Sequence, residues 1–181
     1  MSVSKEQNML HRVIVLLIFL SVGSDVFAQT CPSNVPVSTP TSRFTDNGNG
    51  TVSDTATGLM WKRCIEGMTW NNNTCTGSES DLTWQSALQQ AVTVNGAGGY
   101  VGKTDWRVPN QKELRSIIER QCYSPAINLN IFPNTPSSSF WSSSPGAGDS
   151  SYAWYVFFDV GYGGWGDRSN TYAVRLVRVG Q

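Results

Sequence analysis

The chain predicts an α+β domain: two amphipathic helices, several short strands and two disulfides. Three observations carry this. Apolar residues recur at helical spacing in one segment, and a second segment opens with a helix-start signature. The last forty or so residues are dense in aromatic and β-branched residues punctuated by glycine. Four cysteines, an even number, all lie beyond a leader-like N-terminus.

The first 28 residues read as a signal peptide. Lys5, His11 and Arg12 make a positive n-region, Val13 to Val22 an apolar run too short for a stable membrane span, and Val26-Phe27-Ala28 a small-residue cleavage site, placing the cut after Ala28. An uncleaved anchor is the alternative. A lipidated Cys31 is disfavoured, because Ala28-Gln29-Thr30 lacks the apolar and small residues expected before such a cysteine. Removing 28 residues from 181 leaves 153, enough for one domain with a core. Lys5, Arg12, Glu6 and Asp25 leave with the leader, so the 13 basic and 13 acidic residues each fall by two and the net charge stays zero. That balance argues against nucleic acid or another polyanion as a broad electrostatic partner. No membrane span is expected after cleavage. The chain is therefore read as exported, to the periplasm, the outer surface or the medium.

Residues 29–42, rich in Pro, Ser and Thr, read as an extended linker, and residues 43–181 as the domain. Asp46-Asn47-Gly48-Asn49-Gly50 is a turn signal. It faintly resembles a calcium loop, but Gly48 and Gly50 stand where oxygen ligands are needed, so turn chemistry is the reading. Thr51 to Asp54 and Leu59 to Trp61 are strands around a second turn.

Leu82 to Val94 is the first helix, capped by Asp81 or Thr83, with Trp84, Ala87, Leu88, Ala91 and Val92 on one apolar face. The glycine-rich Gly96 to Gly99 stops it. After Asp105-Trp106-Arg107-Val108-Pro109, Asn110 caps a second helix over Gln111 to Arg120, with Glu113 as the reciprocal capping-box partner. Leu114, Ile117 and Ile118 are expected to face inward, and Lys112, Arg115 and Glu119 to face water. Beyond a Pro- and Asn-rich loop, Phe140 to Ser143, Tyr152 to Val160 and Tyr172 to Val179 read as strands, the last central and buried. Gly161 to Gly166 reads as a flexible connection.

Four cysteines allow three pairings. Cys64–Cys75, closing a short Asn-rich loop, and Cys31–Cys122, tying the N-terminus to the end of a helix, are the expected pair. A four-cysteine zinc site is disfavoured, since no CxxC pair exists and the compartment is oxidising.

Taken in order, Asn49-Gly50-Thr51-Val52-Ser53-Asp54, Thr57-Gly58-Leu59-Met60-Trp61, Thr83-Trp84-Gln85-Ser86-Ala87-Leu88, Gly99-Tyr100, Asp105 to Asn110 with Glu113-Leu114, Phe140-Trp141-Ser142-Ser143 and Tyr172 to Arg178 form a pattern. It resembles the bacterial DUF1566 family, the C-terminal domain of the Legionella collagen-like protein, over about Arg43 to Val179. The resemblance implies a C-type-lectin-like fold: two helices packed on small twisted antiparallel sheets, with long loops carrying function. The namesake's collagen-like repeats are absent here, so its adhesive role is an analogy. Calcium-dependent sugar binding is not expected. Val108-Pro109-Asn110 lacks the first polar ligand of the lectin motif, and no Trp-Asn-Asp occurs.

The single histidine, His11, lies in the leader. A mature chain without histidine lacks Ser-His-Asp and Cys-His catalysis and His-ligated metals. Related folds include oxidases with reactive cysteines, but each cysteine here has a disulfide partner in prospect. No cofactor or metal is expected, and the chain is read as a non-enzyme. A polysaccharide-acting enzyme would need paired carboxylates, with Asp105, Glu113, Asp159 and Asp167 as candidates, and their spacing singles out no pair. A structural envelope component is a further alternative. Arg107, Arg175 and Arg178 are read as structural guanidiniums, bonding loop carbonyls and an acid such as Glu113 or Asp105. Trp61, Trp84, Trp106 and Trp141 are read as core. The candidate ligand-binding residues are Tyr162, Trp165, Asp167, Arg168 and Asn170, with Trp154 and Tyr155 nearby. Tyr, Trp and Arg are the usual anchors of recognition surfaces, and an extracellular glycan or protein is the expected ligand.

Overall fold

A computed structural model describes residues 28–180. The signal-peptide reading falls on residues that, but for Ala28, lie outside this range. Three small antiparallel sheets and two helices make up the domain. The strands β1 (Phe44–Asp46), β2 (Thr51–Asp54), β3 (Leu59–Lys62) and β9 (Val177–Val179) form a sheet in the order β1-β2-β3-β9. A hairpin joins β4 (Met68–Asn71) to β5 (Thr74–Gly77), and β6 (Ser139–Pro145), β7 (Tyr152–Phe157) and β8 (Tyr162–Asp167) form the third sheet in sequence order. The helices are α1 (Trp84–Gly96) and α2 (Gln111–Ser116). This mixed architecture is consistent with the C-type-lectin-like fold that the resemblance implies.

Local chemistry places most elements as expected. The Asp46–Gly50 turn closes on its own side chains: Gly48 N donates to Asp46 Oδ1 at 2.8 Å and Thr51 N to Asn49 Oδ1 at 3.2 Å. Gly50 has no room for a side chain, since a Cβ there would lie 2.3 Å from the Tyr100 hydroxyl. Thr83 caps α1, accepting from Ser86 N. At α2, Glu113 N donates to Asn110 Oδ1 at 2.9 Å and Asn110 N to Glu113 Oε2 at 2.8 Å, the expected capping box. Both expected disulfides are present, Cys31–Cys122 and Cys64–Cys75, with no free cysteine among the described residues.

Five expectations are corrected. First, α2 ends at Ser116 rather than Arg120, and Glu119 does not face water: it is 2% exposed. Second, Val92 does not join the buried face of α1. It is 60% exposed, because Ala87 and Ala91 make the inward contact and Val92 lies beyond their stripe. Third, only Val177–Val179 of the last strand is regular. Residues 172–176 run irregularly, held by bridges from Leu82 to Tyr172 and Phe140 to Ala173, although Ala173 to Arg178 are buried as expected. Fourth, the loop closed by Cys64–Cys75 contains the β4–β5 hairpin, turned by Asn72 and Asn73, both at positive φ (47° and 62°). Fifth, Gly161 to Gly166 is no flexible connection. Most of it is β8, paired with β7 through six consecutive residue pairs.

Residues 29–42, read as a linker, lie docked against the domain. Thr30 bridges Tyr123, and Gln29 Nε2 donates to the Pro125 and Ile127 carbonyls. Glu119 accepts from the amides of Ser38, Thr39 and Gln121 and from both hydroxyls of Ser38 and Thr39. A carboxylate so surrounded has its charge satisfied without water, which explains its burial.

The core has two parts. One gathers Val52, Trp61, Leu114, Ile117, Phe132, Phe140 and Phe158; the other gathers Ala87, Trp106, Trp141, Ala153 and Leu176. Trp61, Trp106 and Trp141 are buried as expected, while Trp84 is only half-buried. The three family arginines are structural. Arg107 grips Glu113 through two bonds of 2.7 Å, and Arg178 Nε donates to Asp105 at 2.7 Å. Arg175 is buried, donates to the carbonyls of Lys62 and Arg63 and to Thr135 Oγ1, and stacks on Phe132. Burial lowers its pKa to about 9, so it stays charged at neutral pH.

Candidate functional site

The aromatic surface is built on β7 and β8. Successive side chains of a strand point to opposite faces, so the cross-strand pairs decide what shares a face. Trp154 pairs with Trp165, and their rings meet edge to face at 5.4 Å between centroids. Tyr155 pairs with Gly164, and Ala153 with Gly166, on the other face. There neighbouring rings crowd the glycines. A Cβ on Gly164 would lie 2.9 Å from the Tyr155 hydroxyl, and one on Gly166 3.0 Å from the Tyr172 ring. The glycines thus let aromatic residues cover the strand on one face, while Trp165 stands out on the other.

Trp165 is 58% exposed and Tyr162 62% exposed. Two hollows meet at Trp165. One, about 360 Å³, is lined by Trp154, Tyr162, Gly163, Gly164 and Trp165. The other, about 310 Å³, is lined by Gly146, Ala147, Asp149, Tyr152 and Trp165.

The expected binding residues do not all converge here. Trp154 and Trp165 share one face; Tyr162 lies on the opposite face, with its ring beside the Gly164 position, and joins them in lining the first hollow. Tyr155 is turned to the inner face, 5.1 Å from Tyr172, and burial raises its pKa. Asp167 closes a turn, accepting from Ser169 N and Oγ at 2.8 and 2.7 Å, and those bonds lower its pKa. Asn170 donates to the Tyr172 hydroxyl at 3.1 Å. Arg168 points elsewhere. Its guanidinium lies 4.1 Å over the Trp84 ring, and its Nε donates to Tyr152 O. That pair lines a separate hollow of about 640 Å³, together with Thr83, Gln85, Leu88, Gln89, Val92 and Ser169.

Sequence reasoning missed Trp84 and Asp149 as surface-lining residues. The arrangement of apolar residues on α1 gave Trp84 a core reading, and nothing around Asp149 marks it as near an aromatic strand.

The four carboxylates considered for hydrolysis each have a separate partner. Asp105 holds Arg178, Glu113 holds Arg107 and the α2 cap, Asp159 accepts from Ser124 Oγ, and Asp167 holds Ser169. Among the described residues, no group of three or more His, Cys, Asp or Glu is placed to hold a metal. No described helix is long and apolar enough to cross a membrane.

A disulfide-bonded α+β domain with an aromatic strand at one edge is the class these features define. The profile of the Lcl C-terminal domain family matches residues 50–178, and the chain belongs to that family. No curated protein matches the chain significantly. Two disulfides, of which Cys64–Cys75 lies wholly within the matched residues, suit an oxidising compartment outside the cytoplasm.

Proposed function

We propose that this chain is an exported recognition module whose aromatic edge strand, with Trp154 and Trp165 on one face and Tyr162 on the other, binds an extracellular glycan or protein in an adhesive role. One observation carries the reading: two large aromatic side chains, Tyr162 and Trp165, stand mostly in solvent although Gly164 and Gly166 of the same strand are buried. Exposed Trp and Tyr stack on sugar rings and anchor protein interfaces, and a rigid strand holds them at little entropic cost. Asp167, Arg168 and Asn170 shape the turn after the strand, and Tyr155 supports it from beneath.

The test is a screen of residues 29–181 against arrayed glycans and extracellular-matrix proteins, with Trp165→Ala as the matched control. Binding by the wild type that the variant loses, at unchanged thermal stability, supports the reading. Binding that survives the substitution, or no binding at all, overturns it.

A further inference from the structure

We infer that the open side of β8 takes an extended peptide as a fourth strand of the β6-β7-β8 sheet, with a basic side chain set two residues from an apolar one. This rests on the recognition reading above and names the class of its ligand.

Among the described residues, β8 has β7 on one side and no strand on the other. Among the described residues, the amides and carbonyls of Tyr162 to Gly166 that face away from β7 make no other backbone hydrogen bond. The opposite edge of the same sheet is occupied. Trp141 N and Ser143 N on β6 donate to the Ala173 and Pro109 carbonyls. Proteins usually protect a bare edge with lysine, proline, a bulge or a short strand. β8 has none of these. It is six residues long, contains no Lys, Arg or Pro, and pairs with β7 without a register shift. Glycine at 163, 164 and 166 removes the side chains that would hold another backbone away.

The two hollows beside Trp165 give the ligand its pattern. In an added strand, side chains two residues apart share a face and lie about 7 Å from each other. Two of them can therefore fall on either side of the Trp165 indole. On the Trp165 face the first hollow is bounded by Trp154 and Gly163, with Tyr162 lining it from the opposite face; it is aromatic and uncharged, suited to an apolar or aromatic side chain. The other holds the Asp149 carboxylate. Only Ser151 N is bonded to it, and no salt bridge engages Asp149 or the neighbouring Asp167 among the described residues. A Lys or Arg side chain complements it. Backbone pairing would supply affinity, and the two hollows selectivity, as in strand-addition recognition generally.

The experiment uses residues 29–181 and a synthetic library of acetylated, amidated peptides of about eight residues, a length within the ordinary range for a strand. Selected peptides are expected to share a basic residue two positions from an apolar one. They are expected to slow hydrogen exchange of the Gly163–Asp167 amides. N-methylation of the amides on one peptide edge should weaken binding about ten-fold. Asp149→Asn, which keeps the acceptor for Ser151, should weaken the basic peptides about three-fold and leave neutral variants unchanged. Peptide binding indifferent to N-methylation, or without protection of β8, overturns the inference. So does protection of β8 without peptide that grows with protein concentration, which would mean that a second copy covers the edge. Glycan binding that depends on Trp165, with no peptide selected, overturns the inference and leaves the recognition reading standing. Failure of both screens overturns both.

Discussion

Glu119 holds Thr39 by both of its donors, the backbone amide at 2.7 Å and the hydroxyl at 2.8 Å, across 80 residues of sequence. The contact fastens the N-terminal segment to the turn after α2, beside the Cys31–Cys122 disulfide. Glu119→Ala leaves the Ser38, Thr39 and Gln121 amides without their acceptor in a buried site. It should cost about 3 kcal/mol and accelerate proteolysis within residues 29–42. Chemical denaturation and limited proteolysis check this together.

The same carboxylate gives the domain an acid limit. Burial raises the pKa of Glu119, but the bonds from Ser38, Gln121 and Thr39 outweigh it and the net shift is downward. Asp54 and Glu113 follow the same pattern, with burial outweighed by bonds from Arg43 and from Arg107 respectively. A carboxyl depressed in the folded state contributes stability above its unfolded pKa and loses that stability as pH falls through the folded value. The melting temperature should therefore hold from neutral pH to about pH 5 and drop below about pH 4. Glu119→Gln should lower the plateau and flatten that drop.

The two disulfides should contribute unequally. Cys64–Cys75 spans 11 residues and Cys31–Cys122 spans 91. By loop-closure entropy, the first contributes about 3 kcal/mol and the second about 4.5 kcal/mol. Paired Cys→Ala variants compared by denaturant unfolding give the ordering, and a larger loss for the short loop would contradict it.

The tryptophans divide by burial. Trp141 is fully buried and its Nε1 donates to Leu82 O at 2.8 Å, so Trp141→Ala should cost about 4 kcal/mol. Trp165 packs mainly on Trp154, and its substitution by Ala should change stability by less than about 1 kcal/mol. Thermal unfolding of both variants checks the contrast.

What the sequence made legible was local. The α2 capping box needs only Asn110 and Glu113, three positions apart, and the Asp46–Gly50 turn bonds to itself. The Arg107–Glu113 pair was within reach because the two lie six positions apart, whereas Arg178 meets Asp105 across 73 residues. What escaped depended on distant neighbours. Glu119 looks like a solvated helix residue unless Ser38 and Thr39 are known to return to it. The glycines of β8 read as a loop because glycine is poor in strands; the rings of Tyr155 and Tyr162 crowd Gly164, and those of Tyr172 and Trp141 crowd Gly166. The β4–β5 hairpin carries a signal, Asn72-Asn73 between Trp70 and Cys75, that the reading of a short Asn-rich loop does not use. In the candidate site, the aromatic pair Tyr162 and Trp165 was legible from residue type, whereas the placement of Arg168 on Trp84 was not, since it depends on how α1 packs beside the end of β8.

The central claim is that recognition runs through the exposed face of Trp165. Its most direct measurement is the affinity of wild type and Trp165→Ala for one ligand taken from the binding screens, alongside the melting temperature of each. A loss of affinity of about ten-fold or more, with the melting temperature preserved, is expected. Equal affinities, or a loss that merely follows unfolding, would contradict it.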